Sequence, residues 1–244
     1  MFRRIALVLI IPVFAVSCSN KQIKVPPETL LKQGESLYAR KKYEAAAEKW
    51  RTAKDGTSSQ ILKTALELKL ADALFNDENY IEAAAEYENF RKLHPKNSKA
   101  SYALFMTAMS NLKQVEKIDV DQTPITNAAI LFETFFKEYP NSVLQQRARI
   151  RLAECRSKQA AYEIYVGRFY YRTDKYKAAI GRFKEALEKY PGTPELDEAL
   201  FLLGNACLRS GDAVTAKESF SRLVTDYPHS KFVNKAKKFL SRNS

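Results

Sequence analysis

From Glu28 onward, apolar residues return every three or four positions almost without interruption, and no stretch alternates apolar with polar as a half-buried strand would. The pattern predicts helix after helix. It is clearest between Tyr139 and Pro191, in YPNSVLQQRARIRLAECRSKQAAYEIYVGRFYYRTDKYKAAIGRFKEALEKYP, which begins and ends with the same Tyr-Pro stop. Within it Gly167 is the only glycine before Gly181, so a long helix, a tight turn and a second helix are expected.

The same unit recurs. An alanine followed four positions later by a large aromatic occurs as Ala46 with Trp50, Ala83 with Tyr87, Ala128 with Phe132, Ala179 with Phe183, and Ala216 with Phe220. The helix before each carries a small residue, Gly34, Ala71, Ala108, Gly167 or Gly204, where two backbones can approach closely. Pro95, Pro140, Pro191 and Pro228 end four of the units, because proline cannot continue a helix and pushes the preceding residue out of helical geometry. Val166, Gly167 and Tyr170, then Ala179 and Phe183, then Pro191 have the spacing of a tetratricopeptide helix pair. The expected fold is therefore an all-α, tetratricopeptide-like solenoid of about five helix pairs over residues 28–244, with N-terminal repeats in 28–140 and C-terminal repeats in 141–244. In such a fold each pair buries its apolar face only against its neighbours. Two irregularities stand out. Asn111–Pro124 is expected to form an exposed loop inside the third pair, and Ser142–Arg172 one helix long enough to brace the middle of the solenoid.

Ahead of the repeats, Arg3 and Arg4 precede an apolar run from Ile5 to Val16 that is too short to span a bilayer and has the layout of a secretory signal. It ends Ala15-Val16-Ser17-Cys18, which resembles the lipobox of bacterial lipoproteins. Residues 1–17 are thus expected to be a lipoprotein signal peptide, and Cys18 the acylated first residue of the mature chain. Residues 18–27, with Pro26-Pro27, follow as a lipidated tether. The alternative is an ordinary signal peptide with Cys18 incidental. Ser19, rather than an aspartate, points to the outer membrane, with the chain on its periplasmic face.

The formal net charge of +12 falls to +10 once Arg3 and Arg4 are removed, and the excess is spread over most helices without an arginine-rich arm. A nucleic-acid partner is not expected. A preference for acidic protein surfaces or anionic lipid remains open. His94 and His229 are the only histidines; each adjoins a helix-ending proline without a cysteine or acidic residue at metal-ligand spacing. With no phosphate-cradling glycine loop either, no enzyme, metal or cofactor is expected. Cys155 and Cys207 are either a disulfide pair in an oxidising compartment or small apolar core residues.

Taking the same inward positions on the first helix of each pair gives Leu31 and Tyr38, then Leu68 and Phe75, then Tyr102, Phe105 and Met109. That is an apolar strip suited to an unfolded, aromatic-ended segment. The corresponding positions in the C-terminal half are Arg168, Tyr171 and Arg172, then Asn205 and Arg209. Forked arginine donors and a rigid tyrosine suit a folded acidic partner instead.

The run YPNS, the basic helix after it, FYYRTDKYKAAIGRF and YPGTPELDEAL resemble the BamD (YfiO) family, the lipoprotein subunit of the outer-membrane β-barrel assembly machinery. The resemblance is most specific between Tyr139 and Leu200. It departs from the family at Ala15, at Gly181, where the family usually has asparagine, and in lacking a proline after the first repeat. It implies C-terminal repeats docked on a periplasmic domain of the barrel-forming BamA-type subunit, contact with other subunits of the machinery, and N-terminal repeats near unfolded outer-membrane β-barrel proteins. Arg182 matches the family's arginine after Ala-Ala-Ile. A periplasmic scaffold of the Tol-Pal envelope system is the alternative reading.

Overall fold

The computed structural model describes residues 25–242, so the signal segment and Cys18 lie outside the described residues. The helices in order are α1 (Pro27–Ala39), α2 (Tyr43–Gly56), α3 (Gln60–Asn76), α4 (Tyr80–Leu93), α5 (Ala100–Lys113), α6 (Thr123–Glu138), α7 (Gln145–Arg172), α8 (Tyr176–Lys189), α9 (Leu196–Ser210), α10 (Ala213–Asp226) and α11 (Val233–Leu240). Each rests chiefly on the helix before and the helix after it. The result is five helix pairs in a tetratricopeptide-like solenoid, closed by α11. Pro27 opens α1 at its first turn, where its missing N–H costs nothing.

The alanine, aromatic and small-residue pattern has a direct steric meaning. A Cβ added to Gly167 would lie 2.5 Å from Cε1 of Phe183, and one added to Gly204 2.6 Å from Cε1 of Phe220. At Gly34 it would collide with the indole of Trp50. Each large aromatic on the second helix thus presses on the bare backbone of the first. Trp50 also donates its indole N–H to the carbonyl of Leu31, 3.2 Å away. Ala71 and Ala108, the equivalents in the second and third pairs, are fully buried.

The turns inside the pairs share a geometry as well. Lys41, Glu78 and Asp174 adopt left-handed conformations, with φ of 59°, 63° and 57°, and Gly211 takes that conformation in the last pair at 86°. Across three of these turns an aromatic near the end of the first helix meets the tyrosine that opens the second. Tyr38 and Tyr43 have centroids 5.1 Å apart, Phe75 and Tyr80 5.4 Å, and Tyr171 and Tyr176 5.7 Å, all edge to face. Between pairs, His94, Tyr139, Tyr190 and Tyr227 end their helices at φ of −129°, −129°, −126° and −129°. Each precedes a proline whose ring excludes the α region for its neighbour.

The loop of the third pair is shorter than expected. Asn111–Lys113 continue α5, and Thr123 and Pro124 already form the first turn of α6, because proline is well tolerated there. The loop is fastened to α7, where Lys158 donates to the carbonyl of buried Val115 at 3.4 Å. Helix α7 starts at Gln145 rather than Ser142, whose hydroxyl instead accepts from the Leu144 amide at 3.3 Å. Its 28 residues span about 42 Å at 1.5 Å per residue. Ala148, Leu152 and Cys155 join the core cluster formed by α5 to α7, while Ile164 joins the cluster of α8 to α11. The helix therefore belongs to two cores, which is the bracing role expected of it. The cysteines are free and buried in different clusters, and burial pushes the Cys155 thiol up to about 12. No disulfide joins them.

Candidate functional site

In the N-terminal half, Leu31, Tyr38, Leu68, Phe75 and Tyr102 lie half-buried along the inner face, against the core of α1 to α5. Polar groups hold the two tyrosines in place. Tyr38 accepts a hydrogen bond from Asn76 at 2.8 Å, and the Asp72 carboxylate accepts from Tyr87 at 2.6 Å and Tyr102 at 2.7 Å. Burial raises the Asp72 carboxyl above the usual carboxylate range, although the two tyrosine bonds pull it down, and burial beside that carboxylate raises both phenols. Leu68 and Asp72 border a recess of about 550 Å³ with Ile61, Ala65, Lys69 and Lys99. Ile61 is 86% exposed at its mouth.

Phe105 and Met109 are not part of this open surface. They are 2% and 8% exposed, and the Phe105 ring lies 5.8 Å from Phe132 and 6.2 Å from Phe135, with the Arg147 guanidinium 5.3 Å from its centroid. Their spacing matched the inward series, but the neighbouring α6 and α7 close over them. Three of the strip's aromatics, Tyr38, Phe75 and Tyr102, are also structural, through the turn pairs and the Asp72 network.

In the C-terminal half, Arg168, Tyr171 and Arg172 converge with Tyr165 and Leu202 around a recess of about 310 Å³ between α7 and α9. Arg168 is tied to Glu198 at 3.0 Å. Arg209 stands 5.1 Å from the Tyr176 ring centroid and 3.7 Å from Asp174, so it frames the turn beside the recess. Asn205 is occupied with its own helix, donating to the Phe201 carbonyl at 2.8 Å. Arg172 has no ion pair among the described residues, and its charge faces solvent.

Arg182 lies apart from this group. Its guanidinium donates to Glu163 at 2.9 Å and reaches Glu185 at 3.5 Å, and the Glu163 side chain is only 11% exposed. The Glu163 hydrogen bond raises the guanidinium above its ordinary value, holding it charged. Arg182 therefore fastens α8 to α7. Its sequence position, fifteen residues after Gly167, gave no sign of that partner.

The profile of the YfiO family, outer membrane lipoproteins, matches residues 24–213, and a tetratricopeptide repeat profile matches residues 198–230. The chain belongs to the YfiO family. The outer membrane protein assembly factor BamD of Rickettsia prowazekii (strain Madrid E) is 29% identical over 232 residues, covering 93% of this chain and 92% of its own length. The BamD of Caulobacter vibrioides is 30% identical over 164 residues, 67% of this chain and 54% of that protein. The BamD of Neisseria meningitidis serogroup A is 27% identical over 206 residues, covering 80% and 74%. The YfiO match runs across the helices that line the two recesses, α3, α4, α7 and α9.

Proposed function

We propose that this chain is an outer membrane protein assembly factor, a lipid-anchored scaffold on the periplasmic face of the outer membrane. It holds the barrel-forming subunit through its C-terminal repeats and receives unfolded outer-membrane β-barrel proteins along its N-terminal repeats. The anchor is Cys18. The observation that carries the reading is the change in lining along one solenoid: a recess with Ile61, Ala65 and Leu68 on its wall and Lys69, Asp72 and Lys99 around them in one half, and one framed by Arg168, Arg172 and Tyr171 in the other. An apolar recess suits a flexible apolar segment, whereas a preformed arginine and tyrosine frame suits a folded acidic surface. Family membership and the relatives' names support the assembly reading over a Tol-Pal scaffold, and a scaffold needs no catalytic set.

The reading is tested with the purified mature chain and the periplasmic domain of a barrel-forming subunit. Arg168→Glu combined with Arg172→Glu is expected to weaken binding at least about tenfold, or 1.4 kcal/mol, with helicity unchanged. Wild-type affinity of that variant would move the docking surface elsewhere. Leu68→Asp should leave this affinity intact and reduce crosslinking to an unfolded barrel segment; equal crosslinking would remove the N-terminal recess from the reading.

A further inference from the structure

The last eighteen residues, from Tyr227 to Ser244, contain five lysines and arginines and no aspartate or glutamate, in a chain with 40 basic and 28 acidic residues overall. They include α11, which closes the solenoid by burying Val233 and Ala236 and by setting the Phe239 ring 4.9 Å from Phe220. A closing helix needs a polar outer face to keep the repeat array soluble. Solubility alone is met by mixed charges, and this face carries one sign.

The charges are also ordered. Lys231, Lys235, Lys238 and Arg242 follow one another at intervals of four, three and four residues, which aligns them on one side of α11 and its two flanking turns. All four are exposed, and none has an ion pair among the described residues. The stripe is about 16 Å long at helical rise. Its first two cations stand over rings: Lys231 lies 4.9 Å from the Phe232 centroid and Lys235 5.8 Å from that of Phe201. Those two rings are themselves stacked 4.6 Å apart with planes 12° from parallel. The stripe is thus rooted on a rigid aromatic base, so its charges stay on one side of the molecule.

We propose that this stripe is a second membrane contact, an electrostatic docking face for the anionic phospholipid headgroups of the bilayer that carries the protein. Charge complementarity selects the occupant. A one-sign cluster of lysine and arginine is drawn to the negative surface potential of anionic headgroups, and a lysine ammonium, as a point charge, responds to that field without the fixed two-pronged geometry by which arginine pairs with a carboxylate or a phosphate. Three of the four stripe cations are lysine, whereas the recess between α7 and α9 is framed by arginine. Membership of an outer membrane lipoprotein family places such a surface within reach. A polybasic patch is a common second element of membrane attachment beside a lipid anchor. The inference rests on the membrane location in the proposed function but not on acylation or on any protein partner.

The test uses the full mature chain carrying Cys18→Ser, so that no acyl chain contributes, and vesicles of phosphatidylethanolamine with phosphatidylglycerol in a three-to-one ratio. Sedimentation with these vesicles is expected at low salt, with little at high salt or on neutral phosphatidylcholine. Lys238→Glu with Arg242→Glu, which touches neither ring, should weaken binding at least tenfold. Lys235→Glu with Lys238→Glu should do the same, and circular dichroism should show both variants folded. Lys137→Glu with Lys177→Glu, an equal charge change on α6 and α8, should stay within about twofold. Absence of wild-type binding, or equal loss in the α6 and α8 variant, would overturn the proposal. Stripe-dependent binding to the periplasmic domain of the barrel subunit, without vesicle binding, would overturn it in favour of an acidic protein surface. A loss of membrane localisation in cells confined to Cys18→Ser would concern the anchor and leave the vesicle result standing.

Discussion

Gly167→Ala should destabilise the solenoid, although alanine is the better helix former. In a helix interior the substitution ordinarily stabilises by about 1 kcal/mol. Here the new methyl would lie 2.5 Å, 2.8 Å and 3.0 Å from three ring carbons of Phe183, against a carbon-carbon optimum of about 3.5–4.0 Å. Phe183 is fully buried and flat, so the ring must move by roughly 1 Å into a closed core. Overpacking of this kind costs about 1–3 kcal/mol. Because the obstacle is a rigid ring edge, the upper part of that range applies, leaving a net loss of about 1–2 kcal/mol. Gly181 supplies the control: it lies within α8, nothing would meet its Cβ within 4 Å, and Gly181→Ala should stabilise by up to about 1 kcal/mol. Urea unfolding of both variants, followed by circular dichroism, should therefore move the midpoints in opposite directions. Adding Phe183→Leu to Gly167→Ala should recover part of the loss, a coupling that independent sites would not show. If Gly167→Ala proves as stable as Gly181→Ala, the close approach of α7 and α8 does not have the steric basis argued for it.

Arg182→Glu sets a second carboxylate against Glu163 and should destabilise by about 1–3 kcal/mol, a value reduced from that of a fully buried pair because the Arg182 side chain is 39% exposed; an unchanged thermal midpoint would refute the fastening role. Glu78→Gly relieves a left-handed residue at φ 63° and should raise stability by about 0.5–1 kcal/mol in the same unfolding assay. The Cys155 thiol, pushed up to about 12, stays protonated at pH 8, so a thiolate-selective reagent should label it only as fast as the protein opens; rapid stoichiometric labelling at Cys155 in a native Cys18→Ser, Cys207→Ala chain would contradict its burial.

The repeat architecture was legible because its determinants are local and recur at fixed spacing. Gly34, Gly167 and Gly204 announced the close approaches, and the four helix-ending prolines marked the boundaries to within a residue or two. The turn pairs were legible in principle as well, since Tyr43, Tyr80 and Tyr176 each follow the inward aromatic by five positions, but an aromatic at that spacing fits both a surface and a clamp. The inner face was harder to read. Periodicity assigns Phe105 and Phe75 to one series, and only the position of α6 and α7 shows that the first is covered and the second half-open. Arg182 illustrates the same limit, because its partner Glu163 lies on another helix and a long-range ion pair leaves no periodic trace.

The two halves use the same turn but different linings, and that separates what the repeats share from what distinguishes them. Tyr38 with Tyr43 and Tyr171 with Tyr176 clamp equivalent turns at 5.1 Å and 5.7 Å, so in the first and fourth pairs alike one inward aromatic is committed to the scaffold. The positions left over are the ones free to differ: Leu68 beside Ile61 in one half, Arg168 and Arg172 in the other. Helix α7 then ties the arginine end of the solenoid to its middle repeats. It is anchored by Leu152 and Cys155 in the middle core and by Ile164 in the last, and Ser157 at its midpoint hydrogen-bonds Glu195 at the start of α9. A helix held in two cores resists bending between them. The arginine recess at the end of α7 therefore keeps a set distance from the middle repeats.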